Sequence, residues 1–207
     1  MGHAYPPAIF VADSPGLDFL NSVATPVDSV VDWIGGGDGL VDWLSQANLV
    51  PETVLAEIKA GAMPGELDKV ADQARSLREW FRGFVREHKG TALSEKHLKE
   101  LEPLNRLLQR DEAFTEIVAA EDGGIKTKMS RRWRSPESLL LPVGQSLAKF
   151  VCEEDFSDVK ACEGHACTLM FVDRTRRKSR RWCSMALCGN RAKQAAHRTR
   201  SKNTGLR

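Results

Sequence analysis

The sequence predicts an α+β chain in two parts: a helix-rich N-terminal domain carrying one β-hairpin, then a small C-terminal module organised by a metal. Three observations predict it. Apolar residues recur at helical spacing through most of residues 1–156. Two β-compatible runs flank Glu121-Asp122-Gly123-Gly124. Four of the five cysteines form two pairs with the same inner spacing, Cys162-x4-Cys167 and Cys183-x4-Cys188.

Taken in order, Ser14-Pro15 supplies an N-cap and a proline at the first helical position, leading into Leu17-Asp18-Phe19-Leu20-Asn21. Gly35-Gly36-Gly37-Asp38-Gly39 fits neither a P-loop nor a dinucleotide fingerprint and reads as a flexible turn. Residues 38–47 place Leu40, Trp43, Leu44 and Ala47 on one helical face, and Pro51 opens another short helix. The strongest periodicity runs over 66–88, through Leu67, Val70, Ala74, Leu77, Phe81, Phe84 and Val85, with Gly90 as its stop. Ser94 caps a helix carrying Leu98, Leu101, Leu104 and Leu108, bent at Pro103. The hairpin follows, from 114–118 and 125–129, and then a helix over 136–153 in which Cys152 reads as a core residue.

The paired cysteines have the spacing of zinc knuckles, in which each pair presents two sulfurs to a tetrahedral ion. Cys162, Cys167, Cys183 and Cys188 are therefore the predicted ligands of one structural Zn2+. Four thiolates leave no open coordination position, so the metal is not expected to be catalytic. His165, inside the first knuckle, reads as an exposed turn residue. Within the module, residues 168–173 have strand composition and 179–183 are expected to return beside them. From Asn190 the chain turns helical. Knuckle, hairpin, second pair and helix together describe a treble clef.

Charge divides the chain in the same place. The net charge is +2, yet residues 158–207 hold 13 Lys and Arg against 3 Asp and Glu, and no acidic residue follows Asp173. A net −8 domain joined to a +10 module is the footprint of a polyanion-binding unit, or of an attraction between the two parts. The candidate nucleic-acid contacts are Arg174, Arg176, Arg177, Lys178, Arg180 and Arg181 in the loop, and Arg191, Lys193, Gln194, Arg198 and Arg200 on the helix. Arg191, Gln194 and Arg198 share one flank, suited to base edges. RNA or a protein surface would also suit such a basic module.

Phe171-Val172-Asp173, Arg180-Arg181-Trp182-Cys183-Ser184 and Cys188-Gly189-Asn190-Arg191-Ala192-Lys193 resemble the CGNR zinc-finger family. Leu17-Asp18-Phe19-Leu20-Asn21-Ser22 resembles the LDFxNT opening of the ABATE domain that usually precedes this finger, with Ser22 in place of threonine. Asp42-Trp43-Leu44, Leu77-Arg78-Glu79 and Leu104-Asn105 fit the same domain. Arg177 departs from the asparagine common at its position in such fingers. The resemblance implies an ABATE-like domain over 1–156, a CGNR finger over 157–207, and transcription regulation through DNA.

In the larger domain no Ser/His/Asp or Cys/His set stands out, so no enzyme is predicted. Asp18, Asn21, Arg78 and Asn105 are polar residues within apolar helical segments. They read first as buried hydrogen-bonding groups, and otherwise, with Trp43, as the lining of a small-molecule pocket. No apolar run is long enough to span a membrane and no signal peptide is evident, which together with thiols suited to metal predicts a cytoplasmic protein. A single finger offers little base-reading surface, so specific recognition would call for a homodimer.

Overall fold

The structure, a computed structural model, describes residues 7–25 and 29–204, with side chains described up to residue 198. Among these residues the N-terminal part is built from α1 (Pro15–Leu20), α2 (Gly37–Gln46), α3 (Glu52–Gly61), α4 (Glu66–His88), α5 (Glu102–Leu108) and α6 (Leu140–Glu153). Short strands β1 (Val23–Ala24) and β2 (Val31–Asp32) pair antiparallel. So do the longer β3 (Ala113–Ala119) and β4 (Ile125–Arg131), with Ile117 opposite Thr127. The chain ends with β5 (Val159–Ala161), β6 (Met170–Val172) and α7 (Asn190–Thr204).

The expected periodicities hold where the apolar stripe is long. The central helix α4 spans the predicted 66–88 and buries Val70, Ala74, Phe81 and Val85. The β3–β4 hairpin lies where the Gly-Gly turn placed it. Three local readings change. The helix expected from Ser94 is instead one 3-10 turn at Glu95–His97 followed by a separate α5, with Pro103 in its first turn. Proline lacks an N–H and clashes with the carbonyl four residues back, so it opens a helix rather than continuing one. Leu98 consequently leaves the stripe and is 60% exposed. The glycine-rich stretch is not a flexible turn, because Gly37 begins α2 and its N–H donates to Asp68 Oδ1 of α4 at 2.8 Å. A Cβ at Gly37 would stand 2.6 Å from the Leu67 Cβ, so the glycine sets how closely α2 meets α4. Cys152 lies on the solvent face of α6 and is exposed, not a core residue.

Aromatic rings tie α4 and α6 to the end of the domain. Phe81 meets Phe150 at 6.0 Å, Phe150 meets Phe156 at 5.0 Å, and Phe84 meets Phe156 at 5.9 Å. The core continues from there into the finger, taking in Val159, Leu169, Met170, Phe171 and Val172.

Strand β6 shows how the two parts are joined. Cys162 N–H donates to Leu169 O and Asp173 N–H to Asp158 O, so residues 169, 171 and 173 face β5. Met170 and Val172 must then turn their backbone groups to the other edge. Val172 N–H donates to Ala12 O at 3.0 Å. The buried Asn21 amide serves Met170 on both sides, donating to its carbonyl at 2.8 Å and accepting its N–H at 3.0 Å. The segment carrying Ala12 is itself held by Asp18, whose Oδ1 accepts from Val11 N at 3.0 Å and Ala12 N at 3.1 Å.

A second polar cluster fixes the loop after α1. Arg78, 3% exposed, forms a bidentate pair with Asp32 at 2.8 Å for both bonds and reaches Ser22 Oγ at 3.1 Å. Arg82 donates to Leu20 O, and Arg75 donates to Ile34 O at 2.8 Å. Three arginines of α4, one turn apart, thus hold Leu20, Ser22, Asp32 and Ile34. Burial raises the Asp32 carboxyl, but its bonds with Arg78 more than offset this and hold it below the usual range.

Two measurements test this joint. Asn21→Ala leaves two buried backbone groups of β6 without partners, and is expected to cost roughly 2–5 kcal/mol in denaturant unfolding. A loss below 0.5 kcal/mol, within the ordinary range of about ±0.5 kcal/mol for surface changes, would show that the joint bears no load. Burial raises the Asp18 carboxyl from 3.8 to about 6, against the two N–H bonds it accepts. Between those values the folded state holds more protons than the unfolded one, so this group's contribution to stability falls as pH rises through the window. Asp18→Asn keeps the acceptor and removes the charge. It is expected to be more stable than the parent above pH 6, by about 2–3 kcal/mol at most, with the advantage fading by pH 4.

Candidate metal centre

The finger builds its cysteine cluster from two local devices. The first pair lies in the turn joining β5 to β6, where Cys162 continues the ladder through Leu169 and Cys167 N–H donates to Gly164 O at 3.0 Å. The second pair lies at the entrance to α7. Ser184 caps a π-helical turn, Met185–Gly189, by accepting from Leu187 N at 2.9 Å, and this turn carries Cys188 into the helix. Cys162, Cys183 and Cys188 are buried and Cys167 is partly so.

The expected strand pairing inside the module is corrected here. The partner of β6 is β5, which precedes the first knuckle; residues 179–183 are not a strand. They approach the knuckle through one backbone bond, Glu163 N–H to Arg181 O at 2.9 Å. The knuckle is itself the hairpin turn, so the inner edge of β6 is already taken when the chain returns.

All four sulfurs lie within 4.8 Å of one another, with Cys167 and Cys183 at 4.0 Å. A tetrahedral zinc with Zn–S of ~2.3 Å separates its sulfurs by ~3.8 Å, so the four are positioned to bind one zinc ion. Donors surround them. Gly164 N–H and Cys183 N–H approach Cys162 Sγ at 3.3 and 3.2 Å, and Arg191 Nη2 approaches Cys188 Sγ at 3.3 Å. Such bonds spread the thiolate charge and orient the sulfurs. Gly164 is required by space: a Cβ there would stand 2.7 Å from Cys188 Sγ.

Sulfurs this close cannot all ionise unaided. Contact with Cys183 brings the Cys167 thiol down to about 5, the same contact pushes Cys183 up, and burial pushes Cys188 up to about 11. A dication removes the conflict by binding all four as thiolates.

Beside the cluster, Asp173 is the hub of the basic loop. It is fully buried and accepts from Lys160 Nζ at 2.7 Å, Thr175 N and Oγ1 at 3.0 and 2.6 Å, and Arg180 N at 2.9 Å. Burial alone would raise its carboxyl, but these donors hold it well below the usual range. Its signal in the sequence was its place as the last acid before a wholly basic tail.

Residues 13–154 match the ABATE family, whose description is "Putative stress-induced transcription regulator", and residues 159–201 match the CGNR zinc finger. The chain belongs to the ABATE family. No curated protein matches it.

In this ABATE chain the basic residues read from sequence fall into two groups. Several are held by acids of the chain itself. Arg174 pairs with Glu154, Lys178 with Asp158, Arg180 with Asp13, and Arg181 with Glu163. Arg180 is also stacked over Phe171, 4.1 Å from the ring centre, and donates to Val11 O at 2.9 Å, joining finger to domain. Arg176 and Arg177 at the loop tip, and Lys193, Gln194 and Arg198 on α7, are exposed. Arg191 is half-buried and donates to Leu187 O at 2.6 Å. The Arg200 side chain lies outside the described residues. His165 is exposed, as expected.

The residues read as a pocket take structural places instead. Asp18, Asn21 and Arg78 are buried in the bonds described above. Trp43, 1% exposed, packs against Phe19 at 5.7 Å, while Asn105 is exposed on α5. Among the described residues no buried side-chain nitrogen or oxygen lacks a partner, so these groups offer no free polar atom to a common ligand.

The purified protein is expected to carry one zinc per chain. Serine at any of the four ligand positions should lower that content, and Cys152→Ser should leave it unchanged. Gly164→Ala should weaken zinc retention against a chelator, because the added methyl meets Cys188 Sγ. Full zinc in Cys183→Ser would refute the ligand set.

Proposed function

We propose that this ABATE chain is a DNA-binding transcription regulator in which a structural zinc holds α7 as the DNA-contacting element. The observation that carries this is the cleft between the first knuckle and α7. It has a volume of about 470 Å3 and is lined by His165, Arg191 and Arg198 around a floor of small residues, Ala192 and Ala195. Its single acid, Glu163, is paired with Arg181. A cationic cleft beside a helix without acidic residues suits a phosphodiester backbone, and the small side chains let it approach. The knuckle in a hairpin turn and the second pair at a helix entrance support a treble-clef reading of the finger. Thiolates at the start of α7 also gain from the helix dipole.

The ion pairs of the loop narrow the contact surface. Arg174, Lys178, Arg180 and Arg181 would have to leave acids of the chain to reach phosphate, whereas Arg176, Arg177, Lys193, Gln194 and Arg198 would not. The joint at β6 gives the larger domain a physical route to the finger, so a ligand or partner bound there would act on α7 through Ala12, Asn21 and Arg180. Four thiolates leave the zinc without an open position, which supports a regulatory rather than enzymatic reading. No helix among the described residues is long and apolar enough to cross a membrane. Cytoplasmic residence, with DNA as partner, fits the metal-bound thiols.

Fluorescence anisotropy with duplex DNA across a salt series tests the proposal. Affinity is expected to fall by roughly one power of salt concentration per phosphate neutralised. Arg176→Ala and Arg177→Ala should weaken all sequences alike and each flatten the slope by about one. Gln194→Ala and Arg198→Ala should also relax preference among sequences, at about 1–3 kcal/mol per base contact. Absence of affinity for duplex DNA at low salt would overturn the reading.

A further inference from the structure

One cluster of metal-ligating side chains stands apart from the finger. It lies where α4 ends against the 3-10 turn Glu95–His97 and the residues just after it. Glu87, His88 and Glu100 each offer one donor atom, and the three atoms lie within 4.8 Å of one another. His88 Nε2 and Glu100 Oε2 face each other at 2.8 Å.

The imidazole is held in place by its surroundings. The His88 side chain is only 13% exposed. Its ring packs on the buried Phe84, with centres 4.6 Å apart, and stands edge-on to His97 at 4.7 Å. His97 is buried, and its Nδ1 accepts the Ser94 N–H at 2.9 Å, so its ring proton sits on Nε2. That makes His97 a wall of the site and not a ligand. The same turn carries Glu100, whose N–H donates to His97 O at 3.1 Å. Gly90, with φ +84°, turns the chain out of α4 and donates to Phe156 O at 2.7 Å. Both backbone segments of the cluster are thus fixed, while the Glu87 side chain is exposed.

What the cluster lacks is positive charge. Two carboxylates meet at the C-terminal end of a 23-residue helix, the negative pole of its dipole. Arg86, Lys89, Lys96 and Lys99 are close in sequence and exposed. Among the described residues, however, the imidazole of His88 is the single ion-pair partner of either carboxylate. A dication between the three donors would relieve both conflicts.

We propose that Glu87, His88 and Glu100 form a second metal site, for a first-row transition dication such as Zn2+. One imidazole nitrogen with two carboxylate oxygens suits that class better than Mg2+ or Ca2+, which take oxygen donors. A tetrahedral Zn2+ with bonds of ~2.0–2.1 Å sets its donors ~3.3 Å apart. The His88–Glu100 pair therefore opens by ~0.5 Å, and Glu87 swings inward. Nε2 of His88 gives up its proton, either to water or by moving it to Nδ1. Three protein donors leave a position for water. The bound ion clips the end of α4 to the turn that carries Glu100. It is held less tightly than by four thiolates and exchanges, so the zinc that survives purification is the finger's. The site does not depend on DNA binding.

Calorimetric titration of the zinc-loaded full chain with Zn2+ tests this. A second equivalent is expected to bind and to raise the melting temperature. Mg2+ at the same concentration should give no binding heat. Glu87→Gln and Glu100→Gln replace exposed side chains and should melt as the parent does without added metal. Each should weaken the second equivalent at least about tenfold. His88→Gln should abolish it, and Glu95→Gln, at an exposed acid of the same turn, should leave it unchanged. Absence of a second equivalent, equal binding of Mg2+, or a second equivalent that survives Glu87→Gln combined with Glu100→Gln overturns the proposal. None of these results bears on the DNA-binding reading, which keeps its own test.

Discussion

The outer edge of β6 is the constraint on which the rest of the molecule hangs. Three buried residues form this strand, and it has one strand partner. A buried backbone edge left open would lose the hydrogen bonds it makes with water when unfolded. Ala12 O and the Asn21 amide supply the replacements. That single requirement explains why α1 begins where it does, why Asp18 grips the segment before it, and why finger and domain share a core. The same strand carries Phe171 beneath Arg180 and leads to Asp173, the anchor of the loop behind the metal. The four sulfurs positioned for zinc thus belong to a module whose strand is bonded to the larger domain.

Electrostatics in the finger serve two ends that composition alone merges. Four basic residues of the loop pair with acids of the chain, and one of them, Arg180, joins residues 11–13 to Phe171 and Trp182. The basic residues farther along, on α7 and the loop tip, remain exposed. The +10 module beside the −8 domain is therefore engaged in internal ion pairs through only part of its basic residues. Proximity to an acid divides the two groups, because a charge within reach of one gains from pairing and one beyond it stays hydrated.

Two uses of the same short pieces follow from this layout. In the finger, a tight turn between strands is filled by a knuckle and points sulfurs inward. In the large domain, the turn between β3 and β4 carries no ligand and projects an arm outward.

The sequence by itself determined the metal site, the central helix and the β3–β4 hairpin. Cysteine spacing, a seven-residue apolar stripe and a Gly-Gly turn are local patterns, and each has one physical solution within its own segment. Tertiary structure alone decided the partner of β6, because residues 168–173 have the same composition whether they pair forwards with 179–183 or backwards with 159–161. It also decided the roles of Asp18, Asn21 and Arg78. A polar residue in an apolar stripe announces burial, but whether it lines a pocket or serves another segment depends on what packs opposite, which for Asn21 is a strand 149 positions along the chain. Cys152 is exposed for the same reason, since the outer face of an element is set by its neighbours and not by its own composition, whereas Leu98 leaves its stripe because Pro103 opens a new helix.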